Sequence, residues 1–373
     1  MYIDNKQALL DKVQFGNIFI LGFKDKKALL EMGVLEDNPN AKIKYNLPNG
    51  DSFTRLTIKD RMIDKLFASS SPVGSGNQNF CHMELSIHGE HGNLICYTVD
   101  EYFDYLLEVK DHLLQEYGIE ADFSDVRFRK MEINRTFKIN HEFKAYRRVM
   151  QVLMGNLPRS LKRQAEYREV EKDCIAYDTY YAKSSESNKS QHFIEVKFYN
   201  KTKQLQKVIL LSEEYMRLEF KLTGSGKIKD DIGTNCFAEI TDKMINNYFQ
   251  QQVTKMFINP YCQWVKARNK SLIKTMKELR VKDKRWIINL LRLLEDAEIR
   301  DKKPSLLDIE ELIPLINELN IKDKDKRYKI KNAFRNQSKK YETVFSNNDN
   351  EKLMEILSKI QVEVPKNNGT KVA

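Results

Sequence analysis

Within the stretch from His192 to Lys203, apolar and polar residues alternate, and Tyr199 stands where the apolar run stops. Ile194, Val196 and Phe198 fall on one side, and Glu195, Lys197 and Tyr199 on the other. That is the pattern of a strand with one face in a core. Lys201 and Lys203 follow at once. A phenol at the end of a strand, flanked by ammonium groups, is equipped to attack a phosphodiester and to hold the phosphate it acquires. A neighbouring cation or metal favours the phenolate that such an attack requires. As a purely structural feature, the same run is a half-buried strand tyrosine with solvated lysines. Tyr180 and Tyr181 are rival nucleophiles, but they precede a polar loop and lack an equivalent pair of lysines.

Three other segments repeat the layout. In Phe80 to His88, the residues Cys81, Met83, Leu85 and Ile87 form an apolar face, opposite His82, Glu84, Ser86 and His88. In Val126 to Phe137, Met131 and Ile133 point one way, and Lys130, Glu132 and Asn134 the other. In Tyr215 to Leu222, Met216, Leu218, Phe220 and Leu222 oppose Arg217, Glu219 and Lys221. Strands of this kind, laid in one antiparallel sheet, bring their polar faces together as a shallow open floor. The floor would carry carboxylates, imidazoles, cations and one phenol.

Such a floor suits metal-assisted transesterification of a phosphodiester. His82, Glu84 and Glu132 would hold a divalent metal, Mg²⁺ or Mn²⁺, which take oxygen ligands and tolerate a nitrogen. The ion would polarise the scissile phosphate. Tyr199 would attack in line, leaving a 5′-phosphotyrosyl enzyme and a free 3′ hydroxyl. Lys201 would assist the phenolate and clamp a non-bridging oxygen. Lys197, Lys203, Arg217 and Lys221 are the expected DNA contacts, and Glu219 has no settled role. Each residue also has an ordinary reading. His82 can be a hydrogen-bonded strand histidine, and Glu132 can pair with Lys130 or Arg135. Arg217 with Glu219 can be a cross-strand ion pair, and His88 and His91 sit at a glycine-containing turn as surface residues.

The chain of 373 residues carries 41% hydrophobic residues, enough for a substantial core, and 31% charged ones. Mean hydropathy is −0.59 and the isoelectric point about 9.1. A formal charge of +10 suits a polyanionic partner. Five scattered cysteines, with no C-x-x-C pair, argue against a disulfide framework or a cysteine zinc site and for a reducing compartment. The first residues, Met1 to Lys6, are acidic and polar where a secretory leader would be apolar, and no window approaches eighteen uncharged apolar residues. The expectation is a cytoplasmic protein without a membrane partner.

The elements that must position these groups follow from the same patterns. Ser69 to Gly76 is a break rich in small residues. Val99 to Tyr117 and Glu142 to Met154 read as amphipathic helices, and Asp173 to Ala182 as a strand forming a hairpin with that of Tyr199. From about 235 the character is helical: Phe237 to Phe257, broken by Asn259-Pro260, then Lys270 to Leu279, Arg285 to Ala297, Ser305 to Glu318 and Lys326 to Gln337. Lys322 to Lys331 is a basic run, either a solvated helix face or a phosphate contact. The expected fold class is α+β, a central antiparallel sheet with helices on one face followed by a C-terminal all-helical region. Its expected divisions are 1–232, 233–362 and a disordered tail, 363–373.

The order of four motifs resembles the rolling-circle replication initiators. These are His82-Met83-Glu84-Leu85; Lys130-Met131-Glu132-Ile133; Val196-Lys197-Phe198-Tyr199-Asn200-Lys201; and Met216-Arg217-Leu218-Glu219. The likeness is to filamentous-phage replication endonucleases and Gram-positive plasmid initiators, within the wider HUH endonuclease group, and spans roughly residues 75 to 230. It implies a metal-dependent, single-tyrosine enzyme that nicks and rejoins one DNA strand at an origin, with Tyr199 as nucleophile and Lys201 as its following lysine. Glu84 stands where the group's second histidine would be. Origin DNA, single-stranded or in a supercoiled or cruciform form, is the implied partner, with a host helicase and a homodimer as further partners. A conjugative relaxase with the same chemistry and a non-catalytic DNA-binding regulator are the alternatives.

Overall fold

A computed structural model describes residues 6–41, 44–69, 80–85, 96–158, 161–167, 179–184, 193–206, 211–282, 284–301, 306–341, 344–345 and 347–362. The expected break at Ser69 to Gly76, the histidines His88 and His91, and the C-terminal tail lie wholly or almost wholly outside these residues.

The strands, in chain order, are β1 (Leu9–Phe23), β2 (Leu35–Glu36), β3 (Tyr45–Asn46), β4 (Ser52–Phe53), β5 (Arg55–Ile58), β6 (Lys65–Ser69) and β7 (Phe80–Leu85). They continue with β8 (Ile119–Asp122), β9 (Arg127–Ile139), β10 (Leu161–Tyr167), β11 (Thr179–Ser184), β12 (Phe193–Asn200) and β13 (Glu214–Thr223). Eleven of them form one sheet, in the order β10-β11-β12-β13-β9-β1-β7-β6-β5-β2, with β8 also paired to β1. Its strand pairings are antiparallel. The class is therefore mixed α and β, with a large antiparallel sheet and a helical C-terminal region, as the alternation and the later helical periodicity predict.

One face of the sheet is apolar and covered by helices. Val196, Phe198, Phe220, Met131 and Ile133 are fully buried there. Phe198 meets Phe257, and Phe220 meets Phe249, edge to face at centroid distances of 5.2 and 5.1 Å. Each buried phenylalanine contributes about 2–3 kcal/mol, and this side supplies the driving force that lets the opposite side carry charge. The helix Val99–Glu116 starts at Thr98, whose hydroxyl and Glu101 form a capping box, and buries Tyr102, Leu106, Val109 and Leu113. A second apolar cluster gathers Leu272, Met276, Trp286, Leu291, Phe334 and neighbours from the later helices.

Some local expectations change. Asn259-Pro260 does not stop a helix: Asp242–Val253 passes through a π-turn, Thr254–Ile258, into Asn259–Lys282. Pro260 lacks the N–H for an ordinary helical bond, and the wider turn before it accommodates the ring. The helix expected from Ser305 begins at Ile309, where Asp308 caps it by accepting from the Glu310 N–H at 2.9 Å. The N-terminal stretch holds the 15-residue β1, followed by the short strands β2 to β6. Among the described residues no helix is long and apolar enough to cross a membrane.

Candidate functional site

The polar floor is built by cross-strand register. Tyr199 on β12 faces Arg217 on β13, which faces Thr136 on β9. The next row is Lys197, Glu219 and Asn134, and the next is Glu195, Lys221 and Glu132. Two β-bulges then add residues that simple alternation hides. Leu10 pairs with Ile133 and Val13 with Met131, so β1 takes three steps where β9 takes two. Leu10 and Val13 both stay in the core, which turns Asp11 and Lys12 together onto the polar side. Gln14 pairs with Lys130 and Phe15 with Phe128, so the extra residue now lies on β9. Arg129 and Lys130 are both turned out between buried Phe128 and Met131. Bulges aim side chains in this way and concentrate near functional sites.

The first bulge creates the chemical centre. Carboxylate oxygens of Asp11, Glu132 and Glu219 all lie within 4.8 Å of one another. It is the one such group of histidine, cysteine or acidic residues among the described residues. Around it, Arg217 Nη1 donates to Asp11 Oδ2 at 2.7 Å, and Arg217 Nε donates to Thr136 Oγ1 at 2.7 Å. Lys197 Nζ donates to Glu219 Oε1 at 2.7 Å. The Tyr199 hydroxyl donates to Glu219 Oε2 at 3.3 Å and accepts from Arg217 Nη1 at 3.4 Å. Lys130 and Lys221 flank Glu132 at 3.8 and 4.0 Å.

The centre is enclosed rather than open: Tyr199 is 8% exposed, Glu219 3% and Arg217 1%. The register packs long side chains from five strands over one another, so the floor closes on itself. Burial dominates the electrostatics. Burial and the Glu219 charge push the Glu132 carboxyl up to about 7. Burial would raise Glu219 as well, but Lys197, Arg217 and Lys221 outweigh it and hold that carboxyl below its ordinary value. Burial lifts the Tyr199 phenol well above its usual range, opposed by Arg217 and reinforced by Glu219. Burial and Arg217 bring Lys201 down to about 7.

Of the residues singled out from sequence, the structure brings together Tyr199, Glu132, Glu219, Lys197, Arg217 and Lys221. Lys197, Arg217 and Lys221 already hold carboxylates, the last at 3.4 Å from Glu195. Lys201 opens the short helix Lys201–Leu205 with a fully buried side chain, and its Nζ donates to Gln204 Oε1 at 2.7 Å. Lys203 lies in that turn, its backbone N–H capped by Asn200 Oδ1. Glu84 is held by Lys12 at 3.1 Å and Lys130 at 3.6 Å, and it and His82 stand outside the carboxylate group. His82 lies instead beside Phe67, with ring centroids 5.6 Å apart. Tyr180 faces the apolar side near Phe143, whereas Tyr181 pairs with Lys197 on the polar side. Asp11 is the member that sequence reading missed. Its signal was the pair Asp11-Lys12 between Leu10 and Val13, a two-residue polar insertion that breaks alternation.

The three carboxylates fit a hard divalent cation. They offer oxygen only, and two ligands on one Mg²⁺ lie at most about 4.2 Å apart, so a small closing of the cluster suffices. Burial first, then the Glu219 and Asp11 charges, raise the Glu132 carboxyl, and a cation held there would favour its ionised form. No family model matches the chain, and no curated protein matches it. Among solved structures, it is similar to a rolling circle replication initiator protein from Geobacillus stearothermophilus. The identity is 12%, the match covers 67% of this chain and 85% of that one, and the TM-score is 0.27.

Proposed function

We propose that this chain nicks and rejoins one strand of DNA at an origin, through a covalent link to Tyr199, in the initiation of rolling-circle replication of a plasmid or phage. The observation that carries the reading is the Tyr199 hydroxyl, 3.3 Å from Glu219 Oε2, beside three carboxylates within 4.8 Å of one another. A nucleophile and a cation-binding group in contact are what phosphodiester transesterification needs.

Asp11, Glu132 and Glu219 would hold Mg²⁺ or Mn²⁺, which would neutralise charge on the scissile phosphate and draw the phenol's acidity back toward neutrality. Tyr199 Oη attacks phosphorus, and its proton passes to Glu219. The bond to the 3′ oxygen breaks, that oxygen takes a proton from water, and a 5′-phosphotyrosyl link remains. The free 3′ hydroxyl attacks the same phosphorus in the reverse step, which rejoins the strand. Arg217 holds Asp11 and touches the phenol oxygen, orienting both. Lys201, with a pKa near 7, can carry a proton in either direction at neutral pH. The helical region beyond residue 232, with its basic run on the helix Lys324–Ser338, is assigned to gripping duplex DNA.

A second reading, a DNA-binding regulator with no nicking activity, is favoured by the enclosure of Tyr199. Incubation with supercoiled plasmid carrying the replicon's origin and Mn²⁺ separates the two. Nicked DNA with a phosphotyrosyl adduct mapped to Tyr199 supports the enzyme. Binding without nicking supports the regulator, and an adduct on Tyr181 moves the nucleophile.

A further inference from the structure

On β6 and β7, toward the β2 end of the sheet, the same sheet face carries a group of side chains that the chemistry above does not use. Phe67 on β6 and His82 on β7 are register partners, their rings 5.6 Å apart and tilted by 33°. Beside them on β1 is Gly16. A methyl group there would stand 2.5 Å from Arg129 Nε and 3.3 Å from His82 Nδ1. The missing side chain is therefore what lets Arg129, turned onto this face by the β9 bulge, reach across β1 to His82. Exposed Lys65 stands over the Phe67 ring, 4.8 Å from its centroid.

The charges here differ from the rest of the face. Lys12 is paired to Asp64 and Glu84, Lys130 to Glu84, Lys197 to Glu219, Lys221 to Glu195 and Arg217 to Asp11. Among the described residues neither Arg129 nor Lys65 meets a carboxylate, and Arg129 Nε is buried with no hydrogen-bond partner. Burial and Arg129 hold His82 neutral, down to about 4, so the ring is an uncharged stacking surface. A buried donor without an acceptor is rare and calls for one. A guanidinium with spare donors next to two aromatic rings is complementary to a phosphate joined to a flat base.

We infer that Phe67, His82 and Arg129 form a station for one nucleotide of single-stranded DNA, with its phosphate on Arg129 and its base against the two rings. The identity of that strand as substrate rests on the nicking reading; the station itself rests on the geometry. Arg129 lies on β9 seven residues from Thr136, which shares the cross-strand row of Arg217 and Tyr199, roughly 23 Å of strand, so the bound nucleotide lies several positions from the phosphate at Tyr199. Stacking there fixes the strand's register relative to the nucleophile.

The test is fluorescence anisotropy of a labelled twelve-residue oligothymidylate with the full chain, at several salt concentrations without metal. Phe67→Leu, which keeps apolar bulk, should bind about tenfold more weakly with an unchanged salt slope. Arg129→Gln should weaken binding about tenfold and reduce the slope of log affinity against log salt by about 0.7. Arg129→Lys should fall between, since it keeps charge and loses the fork. A folded variant of either residue that binds like wild type, or a wild type that does not bind the oligonucleotide, overturns the station. Adduct formation on Tyr199, assayed on the same preparations, reports on the nicking reading separately. An adduct with unaffected binding sinks only the station, and weakened variants without any adduct sink only the nicking.

Discussion

Arg217 reaches Asp11 at 2.7 Å from a position 206 residues away in the chain. The guanidinium is 1% exposed and the Asp11 side chain 19%. Arg217 Nη1 also donates to the Tyr199 hydroxyl, so one side chain ties the bulge of β1 to the end of β12.

Breaking that tie should be expensive. Asp11→Ala leaves a fully buried guanidinium without its anion, which costs about 3 kcal/mol when one partner of a buried pair is removed. Urea unfolding followed by circular dichroism measures it; a loss under about 1 kcal/mol would mean that the pair is solvated.

Tyr199→Phe should leave the fold intact and abolish the covalent adduct. Both hydrogen bonds of the hydroxyl are long, 3.3 and 3.4 Å, so the stability change should stay within about 1 kcal/mol. Adduct formation by the phenylalanine variant would transfer the nucleophile to another tyrosine.

Glu132 makes stability depend on pH. Burial and Glu219 push its carboxyl from 4.5 to about 7, so the folded chain binds this proton more tightly than the unfolded chain. The stabilisation is whole below pH 4.5 and is lost as pH rises through 7. Relative to Glu132→Gln, the wild type should lose on the order of 3 kcal/mol over that window. Parallel pH profiles of the two proteins would refute this if they stay a constant distance apart.

Gly16→Ala should displace Arg129 rather than unfold the sheet. The added methyl would stand 2.5 Å from Arg129 Nε, in a flexible side chain, and 3.3 Å from His82 Nδ1. The expected cost is about 1 kcal/mol, with oligothymidylate binding weakened more than stability. Thermal melting and anisotropy on one sample compare the two effects, and unchanged binding would place Arg129 outside the binding face.

The strands of the floor were legible because alternation is a local property. Val196, Phe198, Leu218, Phe220, Met131 and Ile133 sit in the core because a pleated chain turns every second side chain the same way. Tyr199, Lys197, Glu219 and Glu132 thereby acquired a common face from sequence alone, and the helical spacing of Tyr102, Leu106, Val109 and Leu113 marked the helix Val99–Glu116.

Register and bulges belong to pairs of strands, and no single strand's pattern contains them. Asp11 joined Glu132 and Glu219 only because β1 carries one more residue than β9 between two paired positions. His82 shares the parity of Glu84 but meets Arg129 and Phe67, since the β9 bulge and the bare Gly16 bring that arginine across β1. The types of residue on the polar face were settled locally by a period of two. Which of them touch was settled by pairing between segments from 18 residues apart, as for Tyr199 and Arg217, to 206 apart, as for Asp11 and Arg217, where one inserted residue redirects the side chains that follow it.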